Sequence, residues 1–293
     1  MSRALITGAG GLVGSSLAAA YGDGAVALRH RDLDVTDARA VDEVVERVRP
    51  DVIFNTAVIG VDDCEADRAL AERINVTGPV RLAAAAERAG AAIVHFSSNY
   101  VFDGGRTDGL PYTIEDEAHP VNVYGVTKLQ GERAVAAACS RALVVRTSWV
   151  FGQGKASFLS TAAAKLARGE RLQAINDTFA STTYVTDLVE RLLELVRLRH
   201  YGTFHLVNDG VCSYETFARE AASILGLSDE AAHALIDSAS EAEHRRPAPR
   251  PRWTPMRCLL SERLGLRPMR PWHDALREYV RPGGAAGFSP PNK

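Results

Sequence analysis

The sequence contains very few lysines. Of its 34 basic residues, four are lysines and 30 are arginines, and 36 Asp and Glu residues bring the formal net charge to -2. Proteins that bind nucleic-acid backbone or an anionic membrane surface need a clustered excess of cations, which this near balance does not offer. We therefore expect neither a nucleic-acid nor a membrane partner. Because arginine is so common here, a lysine says more about a specific role than an arginine does.

Long apolar runs and closely spaced cysteines are also missing. No stretch of about 18 apolar residues occurs, so the sequence predicts no membrane-spanning helix. The apolar run at the N-terminus ends in a glycine turn rather than in a signal-peptide cleavage region, and we expect a cytoplasmic protein. The cysteines are too far apart for a disulfide framework or a zinc site. No metal ligands are assigned, and four residues are interpreted as packing cysteines: Cys64, Cys139, Cys212 and Cys258.

Short apolar runs alternate with longer segments of helical period through the first half of the chain. We predict strands at residues 4–6, 25–28, 52–54, 92–96 and 143–145. This alternation predicts an α/β fold with a Rossmann-type, doubly wound parallel sheet and helices on both faces. Beyond residue 150 the alternation is looser. There we predict helices at 156–168, 184–199, 213–225 and 271–281, and a strand at 203–206.

A glycine-rich turn follows the first predicted strand and opens a helix. It reads TGAGGLVG over residues 7–14. Glycines at 8, 11 and 14 allow a tight turn, bring backbone N–H groups close to a pyrophosphate and pack the helix against the sheet. The turn alone is weak evidence, but the strand before it and the helix after it are the context that dinucleotide binding requires. We therefore predict a dinucleotide site that includes Gly8, Gly11, Leu12, Val13 and Gly14.

The end of the second predicted strand bears on the choice of cofactor. An acidic residue there holds the ribose 2′-hydroxyl of NAD, whereas a cationic side chain accepts the 2′-phosphate of NADP. This chain has Arg29, His30 and Arg31 before its first acid, Asp32. We therefore predict NADPH, with NADH and a plain exposed loop as alternatives, since arginine is abundant throughout. Two further residues are expected near the adenine, Asp34 and Val35.

Tyr124 and Lys128 lie four residues apart in a segment of helical pattern, which places both on one helix face. Reduction of a ketone needs a hydride on carbon and a proton on oxygen. A tyrosine with a pKa of about 10 is a poor proton relay unless a nearby cation favours its phenolate, and Lys128 supplies that cation. Ser98, after the fourth predicted strand, would hydrogen-bond the carbonyl oxygen. An ordinary surface pair is the alternative to this interpretation.

Several longer motifs make the chain resemble an extended short-chain dehydrogenase/reductase, and within that superfamily the dTDP-4-dehydrorhamnose reductase family. The similarity reaches from LDVTD (33–37) to PW (271–272) and covers nearly the whole chain. It is carried by PDVIFNTA (50–57), INVTGP (74–79), HFSSNYVFDG (95–104), PVNVYGVTKLQGE (120–132), VRTSWVFG (145–152) and RRP (245–247).

The resemblance implies NAD(P)H-dependent reduction of the 4-keto group of a nucleoside-diphosphate 4-keto-6-deoxyhexose, with dTDP as the expected nucleotide. By matching position Tyr124 is the proton donor, Lys128 its partner and Ser98 the carbonyl binder. The substrate positions are Ser98, Asn99, Tyr124 and Trp149, with a core role as the alternative for the tryptophan. Tyr124 and Lys128 are also cofactor positions, since Lys128 could hold the nicotinamide ribose hydroxyls. The remaining cofactor positions are Ala57, Val58 and Ile59, where the family's loop passes the cofactor, and Asn75, which supports the active-site network.

Two departures from the family pattern fall at the sugar end of the site. Family members usually have Thr-Asp where this chain has Ser98-Asn99, so a hydroxyl is kept and a charge is lost. The loop at 55–65 is one residue short and lacks the usual polar or aromatic residue after the alanines. Both departures concern the identity of the sugar more than the chemistry, and the pathway could serve rhamnose or a secondary-metabolite deoxysugar.

The expected domain organisation follows the same division. Residues 1–150 are predicted to form the NAD(P)-binding Rossmann domain, to which residues 151–205 partly return, and residues 151–281 to form mainly a smaller substrate-binding cap. The segment Arg245–Pro255 contains four prolines and cannot be regular helix. Its arginines either clamp a pyrophosphate or belong to a solvated loop. Residues 282–293 are rich in Gly, Pro and Ala, and we expect them to be disordered.

Two other functions remain open at the level of sequence. A non-catalytic NADP-binding subunit, similar to the regulatory beta subunit of methionine adenosyltransferase, would have the same fold. Another nucleotide-sugar reductase, epimerase or dehydratase of the superfamily is the second alternative. Retention of Ser98, Tyr124 and Lys128 favours the ketoreductase, and Asn99 does not supply the acid that dehydratases typically have after the serine or threonine. A homodimer is compatible with the sequence.

Overall fold

The computed structural model describes residues 3–281, so the expected disorder of residues 282–293 lies outside the described residues. The strands are β1 Ala4–Thr7, β2 Ala25–Leu28, β3 Val52–Asn55, β4 Ala92–Ser98, β5 Ala142–Thr147, β6 Val150–Phe151, β7 Leu172–Ile175, β8 Phe179–Ala180, β9 Thr183–Tyr184, β10 Gly202–His205, β11 Ile236–Ala239 and β12 Trp253–Thr254. The helices are α1 Leu12–Tyr21, α2 Ala38–Val48, α3 Val61–Ala66, α4 Arg68–Glu72, α5 Gly78–Ala89, α6 Val123–Ala138, α7 Phe158–Ala167, α8 Val185–Arg197, α9 Tyr214–Ile224, α10 Asp229–Leu235, α11 Leu259–Arg263 and α12 Trp272–Val280.

Six parallel strands form the central sheet, in the order β10-β5-β4-β3-β1-β2. The chain adds β2 on one side of β1 and then crosses back to add β3 on the other side, so the sheet is doubly wound. Thr7 of β1 pairs with Asn55 of β3 at the carboxyl edge of this crossing. Open parallel sheets bind ligands at such a switch point. The predicted Rossmann-type fold is confirmed.

Helices cover both faces of this sheet because each presents an apolar stripe to it. On one face, α1 and α8 pack through residues such as Leu17, Leu188 and Leu192. On the other, α2 and α5 pack through Val41, Val45 and Leu82 among others. Helix α2 begins where the Asp37 carboxylate accepts hydrogen bonds from two backbone N–H groups of the first turn. No helix within residues 3–281 has the length and apolarity needed to cross a membrane.

The second half of the chain builds a separate apolar cluster beside the carboxyl edge of the sheet. Helices α7, α9 and α12 pack together there around Phe151, Phe217 and Tyr279. Three two-stranded parallel ladders join remote segments: β7 with β11, β8 with β12, and β6 with β9. One strand of this half, β10, instead completes the central sheet beside β5. The second half is therefore anchored to the first through both a shared sheet and packed helices.

A buried ion pair joins helix α6 to the sheet. The Arg146 guanidinium of β5 donates two hydrogen bonds, of 2.9 and 2.8 Å, to the Glu132 carboxylate, and both side chains are less than a tenth exposed. The guanidinium also lies 5.3 Å from the ring centre of Phe102. Burial removes each charge from water. The opposite charge and the two hydrogen bonds between the side chains replace the lost hydration.

We predict that Glu132→Gln lowers the free energy of unfolding by about 3 to 5 kcal/mol, because it leaves the Arg146 charge buried without its counter-charge. Urea unfolding followed by circular dichroism measures this difference. The matched control is Glu43→Gln, which removes the acid of the exposed Arg39–Glu43 pair on α2 and should change stability by less than about 0.5 kcal/mol. Equal effects of the two substitutions would contradict the assignment of the buried pair.

Candidate active site

The glycine turn between β1 and α1 is packed against the loop that follows β3. A Cβ on Gly8 would lie 2.6 Å from the Ala57 nitrogen, and φ is +69° at Gly8. A Cβ on Gly14 would lie 2.7 Å from both the Gly8 carbonyl oxygen and the Thr56 hydroxyl oxygen. Only glycine fits at these two positions, as predicted from the spacing.

This turn leaves the N-terminus of α1 open to a ligand. Gly11 is the N-cap residue of α1 and supplies no side chain to the first free N–H groups, and Leu12 and Val13 begin the helix with Leu12 buried beneath it. A helix N-terminus with free N–H groups and a side-chain-free approach fits the negative charge of a pyrophosphate. The cradle therefore fits the dinucleotide predicted from the sequence.

The predicted adenosine end lies beside this cradle. Arg29 and His30 are exposed, and the Arg29 side chain passes 3.9 Å from where a Cβ of Gly10 would lie. Asp34 is exposed, and hydrogen bonds from the backbone and hydroxyl of Thr36 lower the pKa of its carboxyl. Val35 is buried and packs against the backbone of Gly78. Of this group, Arg29 has the free cation that a 2′-phosphate requires.

The loop after β3, residues 56–60, is here called the cofactor loop. The Thr56 hydroxyl donates a 2.6 Å hydrogen bond to the Thr7 carbonyl, which ties the loop to the end of β1. Ala57 and Ile59 are half-buried, and Val58 is 54% exposed. The sequence predicts a loop at residues 55–65, but residues 61–66 form helix α3, whose first turn carries two acids. Acidic residues are favourable in that position because they face the positive end of the helix dipole.

Ser98 and Tyr124 come close together where β4 meets α6. Ser98 ends β4, and its hydroxyl lies near enough to the Tyr124 phenol, in the first turn of α6, to favour the phenolate. Lys128 follows one turn later and is only 2% exposed. The side chain of Asn122 caps this helix by accepting a 2.8 Å hydrogen bond from the Gly125 nitrogen. Ser98 and Tyr124 are therefore neighbours, and Lys128 is buried on the helix that carries Tyr124.

Burial controls the protonation of Tyr124 and Lys128. It raises the pKa of Tyr124 well above its ordinary value of 10.0, and the neighbouring Ser98 hydroxyl opposes this only in part. Desolvation dominates the pKa of Tyr124, and the expected role of Lys128, to favour the phenolate, stays a prediction. Burial also lowers the pKa of Lys128 to about 8, with the charge of Glu132 acting in the opposite direction. Tyr124 is therefore a neutral phenol at neutral pH.

Asn75 lies beneath α6 rather than at the surface. It belongs to a π-helical turn at Arg73–Thr77 and is fully buried. Its amide nitrogen donates to the Thr127 hydroxyl at 3.0 Å and to the Cys64 sulfur at 3.6 Å. Asn75 thus supports the helix that carries Tyr124 and Lys128. Cys64, interpreted from the sequence as a packing residue, lies in this same network.

Aromatic rings surround the predicted sugar end of the site. Trp149 adopts a positive φ of 40° and stacks on Tyr214, with ring centres 4.0 Å apart. Tyr100 contacts Tyr124 edge to face at 5.8 Å. Trp149 is half-buried, so it also packs on the apolar cluster of the second half. Neither Tyr100 nor Tyr214 is among the site residues predicted from the sequence. Tyr100 belongs to the SSNYVFDG motif, which could have indicated its place in the site, whereas no local sequence pattern marks Tyr214.

Asn99 lies behind Ser98 and is 2% exposed. Its amide oxygen accepts a 3.0 Å hydrogen bond from the Ser98 hydroxyl, and its amide nitrogen donates at 2.7 Å to the Thr254 hydroxyl of β12. The structure therefore engages both ends of the Asn99 amide with the protein. Asn99 acts on the site through Ser98.

Residues 245–255 are here called the Arg-Pro segment. Its arginines differ in how far their side chains are free to bind a ligand. Arg250 is buried and donates two hydrogen bonds, of 3.0 and 2.8 Å, to the Asp62 carboxylate of α3. Arg246 is partly exposed and lies 3.5 Å from Glu241, and Arg252 lies 4.0 Å from Asp177. A pyrophosphate clamp of all four arginines does not form, because Arg250 is already committed to Asp62.

Comparison with known proteins agrees with the resemblance drawn from the sequence over nearly the whole chain. A family model described as the RmlD substrate binding domain matches residues 2–283. The dTDP-4-dehydrorhamnose reductase of Mycolicibacterium smegmatis is 39% identical over 284 residues, which cover 95% of this chain and 85% of the relative. Among solved structures, a dTDP-4-dehydrorhamnose reductase from Clostridium acetobutylicum is similar at a TM-score of 0.86 and 33% identity, covering 95% of this chain and 98% of that one. The Bacillus anthracis enzyme of that name, in complex with NADP, has a TM-score of 0.87 and 30% identity, with 94% and 98% coverage.

We predict that Lys128→Met stabilises the protein at about pH 7 by roughly 2 to 3 kcal/mol, because folding lowers the pKa of Lys128 from 10.5 to about 8. Between these two values the unfolded chain binds the proton more readily than the folded protein does. Raising the pH through this window therefore stabilises wild type, and the advantage of the variant shrinks. Urea unfolding at about pH 7 and about pH 9.5 measures both effects. If the variant were less stable than wild type by the same amount at both pH values, Lys128 would not be a buried cation that destabilises the folded protein.

Proposed function

This chain belongs to the dTDP-4-dehydrorhamnose reductase family, and on that premise we propose that it reduces the 4-keto group of a dTDP-linked 4-keto-6-deoxyhexose with NADPH. The resemblance drawn from the sequence is confirmed, and the chain is an oxidoreductase acting on a nucleotide-sugar ketone. The observation that carries the proposal is the Ser98 hydroxyl beside the buried Tyr124 phenol, with Lys128 buried one helical turn further along α6.

The cofactor end rests on the glycine cradle. The N-terminus of α1 would hold the pyrophosphate, and Gly8 and Gly14 would allow its close approach. Arg29 would face the 2′-phosphate, and a relative 30% identical to this chain was crystallised with NADP. When bound, NADPH supplies the hydride that reduces the carbonyl carbon.

Proton supply to the carbonyl oxygen falls to Tyr124. Its raised pKa keeps the phenol protonated at neutral pH, so it holds a proton to give. The Ser98 hydroxyl would hydrogen-bond the carbonyl oxygen as negative charge develops there. As Tyr124 gives up its proton, the Lys128 ammonium one turn away favours the resulting phenolate. With a pKa of about 8, Lys128 is mostly charged at pH 7.

The sugar nucleotide would lie between the two halves of the chain. We assign residues 1–150, together with the returning part of 151–205, to cofactor binding and residues 151–281 mainly to the substrate. The stacked Trp149 and Tyr214 offer an aromatic face to a sugar ring. Arg246, which is partly exposed and less tightly paired than Arg250, is the arginine we assign to the pyrophosphate.

The experiment that tests this function offers the protein a panel of dTDP-linked 4-keto-6-deoxy sugars with NADPH, and reads the product stereochemistry by NMR. We expect NADPH oxidation with at least one sugar. In Tyr124→Phe turnover should fall by about 10²-fold to 10⁴-fold because general acid catalysis is lost, while the Kd for NADPH stays within about threefold.

The matched control is Tyr201→Phe, because Tyr201 precedes β10 at the opposite edge of the sheet. It should turn over at the wild-type rate. Full activity in Tyr124→Phe would sink the assigned mechanism. A wild-type protein that binds NADPH yet reduces no 4-keto sugar, and that binds another protein tightly, would instead support the non-catalytic subunit.

We further predict that Arg29→Ala weakens NADPH binding by about tenfold or more, because a charge-assisted hydrogen bond to the 2′-phosphate is lost. NADH binding should be nearly unchanged, since NADH lacks that phosphate. Fluorescence titration with both cofactors measures the two affinities. Arg31→Ala is the control, because Arg31 is highly exposed and lies 3.7 Å from Asp32. If both variants lose NADPH affinity equally, a general charge effect explains the preference and Arg29 has no specific role.

A further inference from the structure

Three separate parts of the chain meet in a closed ring of hydrogen bonds beside the active site. These parts are helix α3, the start of helix α6 and residues 248–250 of the Arg-Pro segment. The first side of the ring joins α3 to the Arg-Pro segment. There the Asp62 carboxylate accepts two hydrogen bonds from Arg250 and one of 3.2 Å from the Ala248 nitrogen.

The other two sides of the ring pass through α6. The side-chain nitrogen of Asn122 donates a 2.8 Å hydrogen bond to the Pro249 carbonyl, while its oxygen caps α6. The Val123 nitrogen donates at 3.0 Å to the Glu65 carboxylate of α3. That nitrogen belongs to the first turn of α6 and has no partner within its own helix. Each of the three parts is therefore bonded to the other two.

The charged side of the ring is the strongest. The Arg250 side chain is 8% exposed and also donates to the Ala248 carbonyl at 2.9 Å. A planar guanidinium bound at two points fixes direction as well as distance. The Asp62–Arg250 pair therefore holds α3 and the Arg-Pro segment in a single relative orientation.

Each part of the ring leads directly into a different part of the active site. The cofactor loop, residues 56–60, runs without interruption into α3. Tyr124 is the next residue after Val123 on α6. Arg250 and Asp62 both lie within electrostatic range of Tyr100, whose ring contacts Tyr124, and Arg250 also lies within range of Tyr214 on the sugar side. A single ring of hydrogen bonds therefore connects the cofactor loop, the start of α6 and the Arg-Pro segment.

We propose that Asp62 and Arg250 are positioning residues that couple the binding of the cofactor to the binding of the nucleotide sugar. The inference rests on the proposed function, because it takes the cofactor loop and the Arg-Pro segment as the two binding sides. When the cofactor loop is ordered by NADPH, the ring sets the Arg-Pro segment and the start of α6 in the arrangement that receives the sugar nucleotide. By linkage, the nucleotide tightens NADPH binding by the same factor.

The test measures the Kd of NADPH by fluorescence with and without saturating dTDP. In wild type we expect dTDP to lower this Kd by about fivefold or more, within the usual range of coupling between two sites. In Asp62→Asn the ratio of the two Kd values should fall toward one. The double variant Asp62→Asn with Arg250→Gln removes both charges, leaves no unpaired buried charge and should give the same loss of coupling.

The matched control is Asp237→Asn, which removes the acid of the exposed Arg171–Asp237 pair between β7 and β11. It should keep the wild-type ratio. A merely structural role of Asp62 would lower stability and leave the ratio unchanged, and an unchanged ratio in the double variant would overturn the inference. So would a wild-type protein that binds both ligands independently, although the proposed function would then stand. A wild-type protein that does not bind NADPH would overturn both.

Discussion

Helix α6 lies so close to its neighbours that two of its positions have no room for a side chain. A Cβ on Gly125 would lie 2.1 Å from the Tyr100 carbonyl oxygen, and a Cβ on Gly131 would lie 2.1 Å from the Asn75 carbonyl oxygen. The helix is therefore positioned by direct backbone contact at two points, which flexible side chains could not define as closely. Tyr124 precedes the first contact and Lys128 lies between the two. Their placement relative to Ser98 follows from this packing.

The same helix buries polar groups that a structural helix would not. Its buried face carries Thr127, Lys128 and Glu132 as well as apolar residues. Thr127 is satisfied by Asn75 and Glu132 by Arg146, whereas the lowered pKa of Lys128 shows that its charge is poorly compensated. Fully bonded polar networks favour one arrangement of a core over others. Burial of Lys128 thus lowers the stability of the protein, while the Thr127–Asn75 and Glu132–Arg146 pairs favour one geometry of the helix. Such a loss of stability is expected where activity and stability compete.

The sequence predicts those parts of the fold and of the site that depend on residues close together in the chain. All six strands of the central sheet were predicted to within a few residues, since buried parallel strands are short apolar runs. The glycine cradle and the Tyr124–Lys128 pair also depend on spacing within one segment. Helix α3 was missed because six residues rich in acids have no clear helical period. The Asp62–Arg250 pair could not be predicted, because 188 residues separate its members and only the fold brings them together.

Arginine is so abundant that the sequence alone does not show which arginines have a specific role. The burial of each side chain separates the arginines that hold the fold from those that are free to bind a ligand. Arg146 and Arg250 are buried and held by carboxylates at two points, whereas Arg39 is paired on an open helix face. Exposed pairs of that kind contribute little to stability. Buried arginines are committed to the fold and are unavailable to a substrate phosphate. The structural arginines are therefore separate from Arg29 and Arg246, the exposed and partly exposed residues assigned to ligands.

Asn99 stands where the resemblance drawn from the sequence implies an aspartate, and this difference has a physical consequence for the neighbouring phenol. Asn99 contacts Ser98, and Ser98 contacts Tyr124, in surroundings that already raise the pKa of that tyrosine. A carboxylate at position 99 would add a nearby negative charge and would disfavour the phenolate further. The amide keeps the hydrogen bonds to Ser98 and Thr254 without that charge. The Tyr124 phenolate is thus less strongly disfavoured beside Asn99 than it would be beside an aspartate.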